Sequence, residues 1–220
     1  MSDFIVHGIP GSPYVRAALL ALEEKRADWR LQPLAMGGQR APEWRAFQPF
    51  GKIPAFEHDG MRFYETQAFL RYADRALPEP ALAPADLRGL LRMDQLLNIV
   101  DCYVAPKVSG LSFWRRVAPH FGMPVDEAAV VAMVPEAGIT IDEAARLLGD
   151  QAFLAGDALS LADLHMVAHL GFVPDYAEGQ ALLAPHANLR GWLDRMMARP
   201  SYAATDWDLL VNRFPVAEAA

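Results

Sequence analysis

A proline cluster divides this sequence into two parts with different hydrophobic periodicities. Pro78, Pro80 and Pro84 fall within seven residues, and prolines this dense prevent a helix and favour an extended linker. Before the cluster, short strand patterns alternate with helical ones. After it, apolar residues recur three and four apart, as they do on one helix face. The sequence therefore predicts an α/β domain over residues 1–77, a linker over 78–86 and an all-helical domain over 87–220.

The first domain has a strand–helix–strand pattern, then a hairpin and a second helix. Such a unit gives a parallel strand pair with a right-handed crossover, and the hairpin adds antiparallel strands. This βαβ-ββα order predicts a small mixed sheet carrying helices, with residues 37–50 irregular. The strand patterns cover 4–7, 29–34, 53–56 and 61–64, and the helical patterns cover 14–25 and 65–76.

The second domain is predicted to be a packed helical bundle. Residues 128–148 contain one or two helices, with a break expected between Pro135 and Gly138. The other helical patterns cover 87–104, 161–172, 189–198 and 206–211.

Composition excludes several classes of protein. Hydrophobic residues make up 53% of the 220 residues, which is too many for a disordered chain. The single cysteine, Cys102, excludes a disulfide scaffold and is expected to be a small buried residue. With no signal sequence, it predicts a cytoplasmic protein. The net charge of −7 argues against nucleic-acid binding, and no apolar stretch is long enough to span a membrane.

The turn that precedes the first helix is the first candidate site. Thiol–disulfide enzymes place a nucleophilic cysteine here, but the tetrad Ser12-Pro13-Tyr14-Val15 has no sulfur, so a thiolate must come from a ligand. The Ser12 hydroxyl can donate a hydrogen bond to that thiolate and lower its pKa. Alternatively, Ser12 only caps the helix, and Tyr14 is the other candidate hydroxyl.

Two more motifs flank the hairpin. In the run from Pro49 to Pro54, a cis Ile53–Pro54 bond would expose the backbone of Ile53 to a peptide-like ligand, whereas a trans bond would simply start a strand. Glu65 and Thr66 open the next helix. An acid and a hydroxyl there can bind the two ends of an amino acid, or they can serve as ordinary caps.

These motifs, in this order, resemble those of the cytosolic glutathione transferases, most closely the serine-type theta and phi classes. The similarity runs through the chain and includes GGQRAPEWRAFQPFGKIP at 37–54, FYETQAFLRY at 63–72 and SLAD at 160–163. The resemblance implies a thioredoxin-like N-terminal domain, a helical-bundle C-terminal domain, a homodimer and glutathione as co-substrate, with no metal.

The resemblance also implies a role for each site residue. Gln39 stands where a histidine is common and Thr66 where a serine is common, and both keep a hydrogen-bond donor. The implied roles are thiolate stabilisation by Ser12, binding of the glycine carboxylate by Gln39, Arg40 and Lys52, pairing with the cysteinyl backbone by Ile53 beside a cis Pro54, and binding of the γ-glutamyl end by Glu65 and Thr66.

The remaining candidates lie mostly in the second domain. Ser160 and Asp163 are expected to form a structural capping box. His165 and His169 have the spacing of two zinc ligands, but no third ligand is evident, so no metal is expected. The candidates for the apolar wall of a second-substrate pocket, or alternatively for core packing, are Tyr14, Tyr103, Phe113 and Trp114.

The sequence therefore predicts a glutathione transferase that joins the glutathione thiolate to a small hydrophobic electrophile. The alternatives are another glutathione-dependent activity on the same scaffold, such as a peroxidase, an isomerase or a dehalogenase, and a non-catalytic protein that binds glutathione or another ligand. Neither nucleic acid nor membrane is an expected partner.

Overall fold

The computed structural model describes residues 3–215. Its strands are β1 Phe4–Gly8, β2 Trp29–Pro33, β3 Ala55–His58 and β4 Met61–Tyr64. Its helices are α1 Pro13–Glu24, α2 Pro42–Phe47, α3 Thr66–Ala76, α4 Leu87–Ile99, α5 Ala105–Ser112, α6 Ala118–His120, α7 Glu127–Leu148, α8 Leu161–Leu170, α9 Ala177–Leu183, α10 Ala187–Met197, α11 Pro200–Ala204 and α12 Trp207–Arg213. The π-helical segments Val100–Val104 and Phe113–Val117 join α4, α5 and α6, and 3₁₀ turns lie at Gly38–Arg40 and Val173–Asp175.

The chain forms two compact units. Among the described residues, the first contains 3–83 together with 199–215, and the second is Pro84–Ala198. The sequence pattern assigns all of 87–220 to one helical domain, whereas the structure places α11 and α12 in the first unit. The physical reason is a set of polar contacts to α1, in which Arg199 and Ser201 both donate to the Glu24 carboxylate.

The first unit has the predicted mixed sheet and the thioredoxin-like order. The strand order is β2-β1-β3-β4, with β1 parallel to β2 and antiparallel to β3. Alternate residues of β1 face opposite sides of this sheet. Phe4 and Val6 are buried, and the Phe4 ring packs edge-on against Phe69 of α3, 5.9 Å away. One face of the sheet is therefore the apolar core beneath α3.

A short helix, α2, covers the other face, in the stretch predicted to be irregular. The His7 ring lies edge-on to Phe47, 5.2 Å away, and 6.5 Å from the Trp44 ring. Burial lowers the pKa of His7, although the Glu57 carboxylate 3.1 Å away opposes this shift. The prediction is wrong here because six residues are too few to show a helical period, and aromatic packing on the sheet holds them instead.

A buried lysine fixes the first part of the predicted linker. Lys25 donates to the backbone carbonyls of Asp74 and Pro80 at 3.1 and 2.9 Å and contacts the Asp74 carboxylate at 3.2 Å. That carboxylate also accepts the N–H of Leu82 at 2.7 Å. The chain around residues 80–82 is thus attached to α1 and α3 rather than extended in solvent.

The second unit is all-helical over its described residues, as the sequence predicts. Every residue of α8 is buried. Helix α7 runs unbroken through Pro135, against the expected break. Proline leaves the carbonyl four residues earlier without a helical partner. That carbonyl belongs to Val131, which is 71% exposed, so water can satisfy it. Within residues 3–215, no helix combines the length and apolar character that crossing a membrane requires.

Candidate functional site

The register of the sheet brings the predicted site segments to one edge. β1 and β2 end side by side, with Gly8 opposite Pro33. β3 starts at the same edge, where Ala55 lies opposite both His7 and Tyr64, the last residue of β4. The segments that follow β1, β2 and β4 and the segment that precedes β3 therefore meet there. We call this the site edge; it collects Ser12, the turn at 38–40, the loop at 51–54 and the Glu65–Thr66 pair.

Ser12 follows a tight turn at the site edge. Pro10 and Gly11, with φ of 82° at Gly11, occupy the two central positions of a type II turn. The Ser12 N–H closes that turn on the Ile9 carbonyl at 3.1 Å. Ser12 is the N-cap residue of α1, yet within the described chain its side chain makes no capping hydrogen bond. The structure therefore does not show the cap-only alternative, and the half-buried hydroxyl lies where the α1 dipole favours negative charge.

The Ile53–Pro54 bond is cis. Its turn lies across Gly8 from the start of α1. A Cβ at Gly8 would stand 2.5 Å from the Val15 side chain, 3.6 Å from that of Pro54 and 3.7 Å from that of Ile53. The absence of a Cβ at Gly8 thus lets the cis turn approach the first turn of α1, which is the helix that carries Ser12.

Helix α2 holds the loop before the cis turn. Trp44 Nε1 donates to the Lys52 carbonyl at 2.8 Å, and Gln48 Oε1 accepts the Lys52 N–H at 2.9 Å. These contacts fix the Lys52 backbone while its side chain stays exposed. Trp44 and Gln48 are not predicted from the sequence, because a lone tryptophan and a glutamine in a segment without periodicity give almost no signal.

Gln39 and Arg40 lie in the 3₁₀ turn beside this loop. The Gln39 carbonyl would stand 3.1 Å from a Cβ at Gly51, so the turn and the loop touch. The Arg40 side chain is exposed. Gln39 Oε1 is buried and has no hydrogen-bond partner within the described residues. A buried amide oxygen without a partner is unfavourable, so this oxygen fits a ligand group that donates a hydrogen bond, and a carboxylate would be bound by the NH₂ of the same amide after it turns over.

Glu65 and Thr66 begin α3 with a strained backbone. Glu65 has φ of 77°, a region that costs non-glycine residues about 1–3 kcal/mol and is often found at ligand sites. Its exposed side chain makes no capping hydrogen bond in the described structure, and Thr66 is buried at the first helical position. The Glu65 carboxylate and the Thr66 hydroxyl therefore lie at a second helix N-terminus at the site edge. An acid and a hydroxyl placed in this way can bind the ammonium and the carboxylate of an amino acid.

The second-substrate candidates lie in both units, and those of the second unit are in two separate places. Tyr14 is half-buried in the first turn of α1. Phe113 and Trp114 lie edge to face with their ring centroids 5.2 Å apart. Tyr103 is 60% exposed and lines a cleft of about 590 Å³ together with Ile139. Phe113 comes ten positions after Tyr103 in the helical segments, a rise of about 15 Å along the axis.

Cys102 lines the same cleft and is exposed rather than buried. The expectation of burial is wrong because Val100 and Val104 take the buried positions of this π-helical segment. Cys102 and Tyr103, which lie between them, are exposed, whereas Asp101 is only partly exposed.

Ser160 and Asp163 begin α8 as a capping box, but the carboxylate does more than cap. Asp163 is fully buried and accepts the N–H and hydroxyl of Ser160 at 2.9 and 2.6 Å. It also accepts the Leu154 N–H at 2.8 Å and Trp192 Nε1 at 2.9 Å. Burial raises the pKa of Asp163, and these four hydrogen bonds oppose that shift. The carboxylate therefore joins α8, α10 and the preceding loop.

His165 and His169 each have a protein partner. His165 Nε2 lies 2.8 Å from the Asp101 carboxylate, and His169 Nδ1 lies 2.8 Å from the Ser109 hydroxyl. Burial lowers the pKa of His169 well below its ordinary value, with His165 adding to the shift. Among the described residues, no three His, Cys, Asp or Glu side chains are gathered as metal ligands would be.

The fold defines a class, namely a thioredoxin-like domain combined with a helical domain. Two family models match this chain. Residues 6–81 match the glutathione S-transferase N-terminal domain, and residues 102–200 match the glutathione S-transferase C-terminal domain. The chain belongs to the glutathione S-transferase family, as its 30% identity to a maize relative also shows.

Relatives match over most of their length. Glutathione S-transferase 4 of Zea mays is 30% identical over 200 residues, covering 89% of this chain and 88% of that one. Glutathione S-transferase of Hyoscyamus muticus is 27% identical over 202 residues, covering 90% and 95%. The crystal structure of poplar glutathione transferase F1 has a TM-score of 0.81 at 26% identity, covering 93% and 97%.

These comparisons confirm three predictions from the sequence. The similarity to the serine-type classes holds, since the relatives are plant enzymes of the phi class. The fold is a thioredoxin-like domain with a helical domain. The protein is an enzyme of the transferase type with glutathione as its co-substrate.

Proposed function

We propose that Ser12 holds glutathione as its thiolate, which attacks an electrophilic carbon of a small hydrophobic co-substrate. The observation that carries this proposal is the convergence of four segments at the site edge, where the Ser12 hydroxyl makes no capping bond within the described chain. A hydroxyl that donates to sulfur favours the thiolate, because hydrogen bonding to a charged form lowers its pKa. The start of α1 adds a favourable dipole.

The other residues of the site edge bind the rest of the tripeptide in this proposal. The cis turn at Ile53 offers backbone N–H and C=O groups to the cysteinyl unit beside Pro54. At one end of the ligand, Gln39, Arg40 and Lys52 bind the glycine carboxylate. At the other end, Glu65 and Thr66 bind the γ-glutamyl group.

The reaction needs only the bound thiolate and a nearby electrophile. The thiol proton leaves to solvent, the sulfur lone pair forms the new S–C bond, and the leaving group departs with its electron pair. Ser12 keeps its proton throughout. Catalysis therefore consists of a lowered thiol pKa and of proximity, and the Phe113–Trp114 pair is proposed as part of an apolar wall for the co-substrate.

The test is an ultraviolet pH titration of the protein–glutathione complex. In the wild-type complex, we expect the bound thiol pKa to lie well below the free value of about 8.5. In Ser12→Ala, the pKa should move back up and turnover should fall at least about tenfold, or about 1.4 kcal/mol. Tyr14→Phe is the matched control, because it removes the neighbouring hydroxyl and should change neither quantity.

Each other outcome has a distinct meaning. A shift in Tyr14→Phe instead of Ser12→Ala would assign the hydroxyl to Tyr14. Calorimetric binding of glutathione without any thiolate signal would support a carrier rather than an enzyme. Hydroperoxides and halogenated substrates, assayed alongside conjugation, separate a peroxidase or dehalogenase from a conjugating transferase.

We also propose that the protein is a cytoplasmic homodimer. Support comes from exposed apolar side chains on α4 and α7 of the second unit, where Leu91 and Ile139 are 70% and 64% exposed. The cleft lined by Tyr103 and Ile139 lies on the same unit. Exposed apolar surface of this kind marks protein–protein contacts.

A further inference from the structure

The C-terminal segment of the chain lies along α1, the helix that begins at the site. Arg199 donates two hydrogen bonds to the Glu24 carboxylate at 2.7 and 2.8 Å. Burial raises the pKa of Glu24, but the hydrogen bonds from Arg199 and Ser201 outweigh it and leave this pKa below its ordinary value. We call Arg199–Arg213 the C-terminal brace; this first contact holds it at the far end of α1.

A second contact joins the brace to the first turn of α1. The Arg16 side chain is almost fully buried. It donates to the Tyr202 carbonyl at 3.2 Å, and its guanidinium carbon lies 3.8 Å above the centre of the Tyr202 ring. A buried arginine is retained only where such partners replace water, so this contact fixes the brace laterally on α1.

The third contact reaches the turn that carries Ser12. The Asp206 carboxylate caps α12, accepting the N–H groups of Asp208 and Leu209 at 3.0 and 3.2 Å, and so starts the helix at Trp207. Trp207 is 2% exposed. A Cβ on Gly11 would stand 2.6 Å from Trp207 Cδ1 and 3.2 Å from Cε2. The pyrrole edge of the indole therefore rests directly on the Gly11 backbone.

We propose that Trp207 is a positioning residue for the reaction: by packing on Gly11 it fixes the Pro10–Gly11 turn and hence the direction of the Ser12 hydroxyl. This inference rests on the proposed role of Ser12. Nothing in the sequence around Trp207 indicates it, since the two residues are separated by almost the whole chain.

Packing on one glycine can have this effect because Gly11 directly precedes Ser12 and has no side chain between its backbone and the indole. One backbone hydrogen bond, from Ser12 to Ile9, closes the turn. A hydrogen bond to sulfur weakens steeply with angle, and a misplacement of 1 Å at a reacting group can cost about a hundredfold in rate. Positive φ and the absence of a side chain at Gly11 let the indole make this contact.

The experiment compares Trp207→Phe with Arg199→Lys, each as the full-length protein. Trp207→Phe removes the pyrrole edge at Gly11. Arg199→Lys weakens the same brace at the opposite end of α1, because lysine cannot form the paired contact to Glu24. The bound thiol pKa, kcat and KM for glutathione, and the urea midpoint are measured for both and for Ser12→Ala.

We expect Trp207→Phe to raise the bound thiol pKa and to leave KM for glutathione nearly unchanged. The same variant should lower kcat at least about threefold, which is less than the hundredfold that a misplacement of 1 Å can cost. Arg199→Lys should lower the urea midpoint but leave the thiol pKa and kcat at wild-type values. Trp207→Leu, which keeps an apolar side chain, gives the same readout if the phenylalanine variant does not fold.

Two results would overturn the inference. A wild-type thiol pKa and kcat in Trp207→Phe, beside a clear shift in Ser12→Ala, would show that Ser12 acts without Trp207. Equal changes of the thiol pKa and kcat in Trp207→Phe and Arg199→Lys would show that the indole only stabilises the brace and does not position Ser12. A wild-type thiol pKa in Ser12→Ala would instead contradict the proposed function itself.

Discussion

At the scale of single residues, Asp163 carries the largest predicted effect on stability. Removing its carboxylate leaves buried donors of Leu154, Ser160 and Trp192 without an acceptor. Each buried donor left unsatisfied costs about 1–3 kcal/mol. We therefore expect Asp163→Ala to lower the free energy of unfolding by about 3 kcal/mol or more, rather than the roughly 1 kcal/mol of a cap, measured by urea denaturation.

Asp126 offers a matched control for this prediction. It is also an aspartate N-cap, of α7, and accepts the Ala129 N–H at 3.0 Å, but its side chain is exposed. Asp126→Ala should lose only about 1 kcal/mol. If the two alanine variants lost equal stability, Asp163 would be an ordinary cap and the bonds to Leu154 and Trp192 would contribute nothing measurable.

At the scale of elements, the contact between Lys25 and Asp74 joins α1, α3 and the proline segment. Removing one partner of a buried ion pair leaves the other charge without compensation and typically costs about 3–5 kcal/mol. Lys25→Met keeps the apolar stem and removes the ammonium. We expect it to lower the free energy of unfolding by about 3 kcal/mol, read from urea denaturation.

An exposed ion pair on α7 provides the control for this prediction, because its charged residue can be replaced by methionine in the same way without any effect of burial. Arg146 and Glu143 pair three residues apart at 2.6 Å, with the arginine side chain 67% exposed. Arg146→Met should change stability by no more than about 0.5 kcal/mol. A comparably small loss in Lys25→Met would mean that Asp74 and the proline segment are held by packing alone.

The elements that the sequence predicts well are those with local signals. Turn residues, strand alternation and Ala- and Leu-rich helical spacing all lie within a few residues of one another, and the βαβ-ββα order follows from them. Ser12, Ile53 and Glu65 were likewise visible as local motifs. What they share in space, the site edge, follows from strand register once the order of strands is known.

The elements that the sequence predicts poorly depend on partners far along the chain. Helix α2 exists because Trp44 and Phe47 pack against His7. The C-terminal brace belongs to the first unit because Arg16 meets Tyr202 and Glu24 meets Arg199, and more than 170 residues separate each pair. Sequence periodicity gives no information about a contact partner at that distance along the chain. The role of Trp207 is therefore not predicted from the sequence.

At the scale of the whole molecule, the proposed homodimer gives the last prediction. Ile139 and Val131 are both exposed β-branched residues of α7, at 64% and 71%, but only Ile139 lines the cleft with Tyr103. A two-fold interface uses the same surface on both copies, so a charge placed there acts twice. An unpaired charge in a desolvated contact is strongly unfavourable.

We therefore expect Ile139→Glu to weaken the dimer at least about tenfold in Kd, about 1.4 kcal/mol, while Val131→Glu leaves it intact. Light scattering on a dilution series, with glutathione binding as a check on folding, measures both. The wild type should have twice the 24.3 kDa mass of the chain. A monomeric wild type would contradict the dimer, whereas equal dissociation of the two variants, or of neither, would place the interface away from the cleft. The contrast between two exposed side chains eight residues apart on one helix thus tests both the assembly and the surface that forms it.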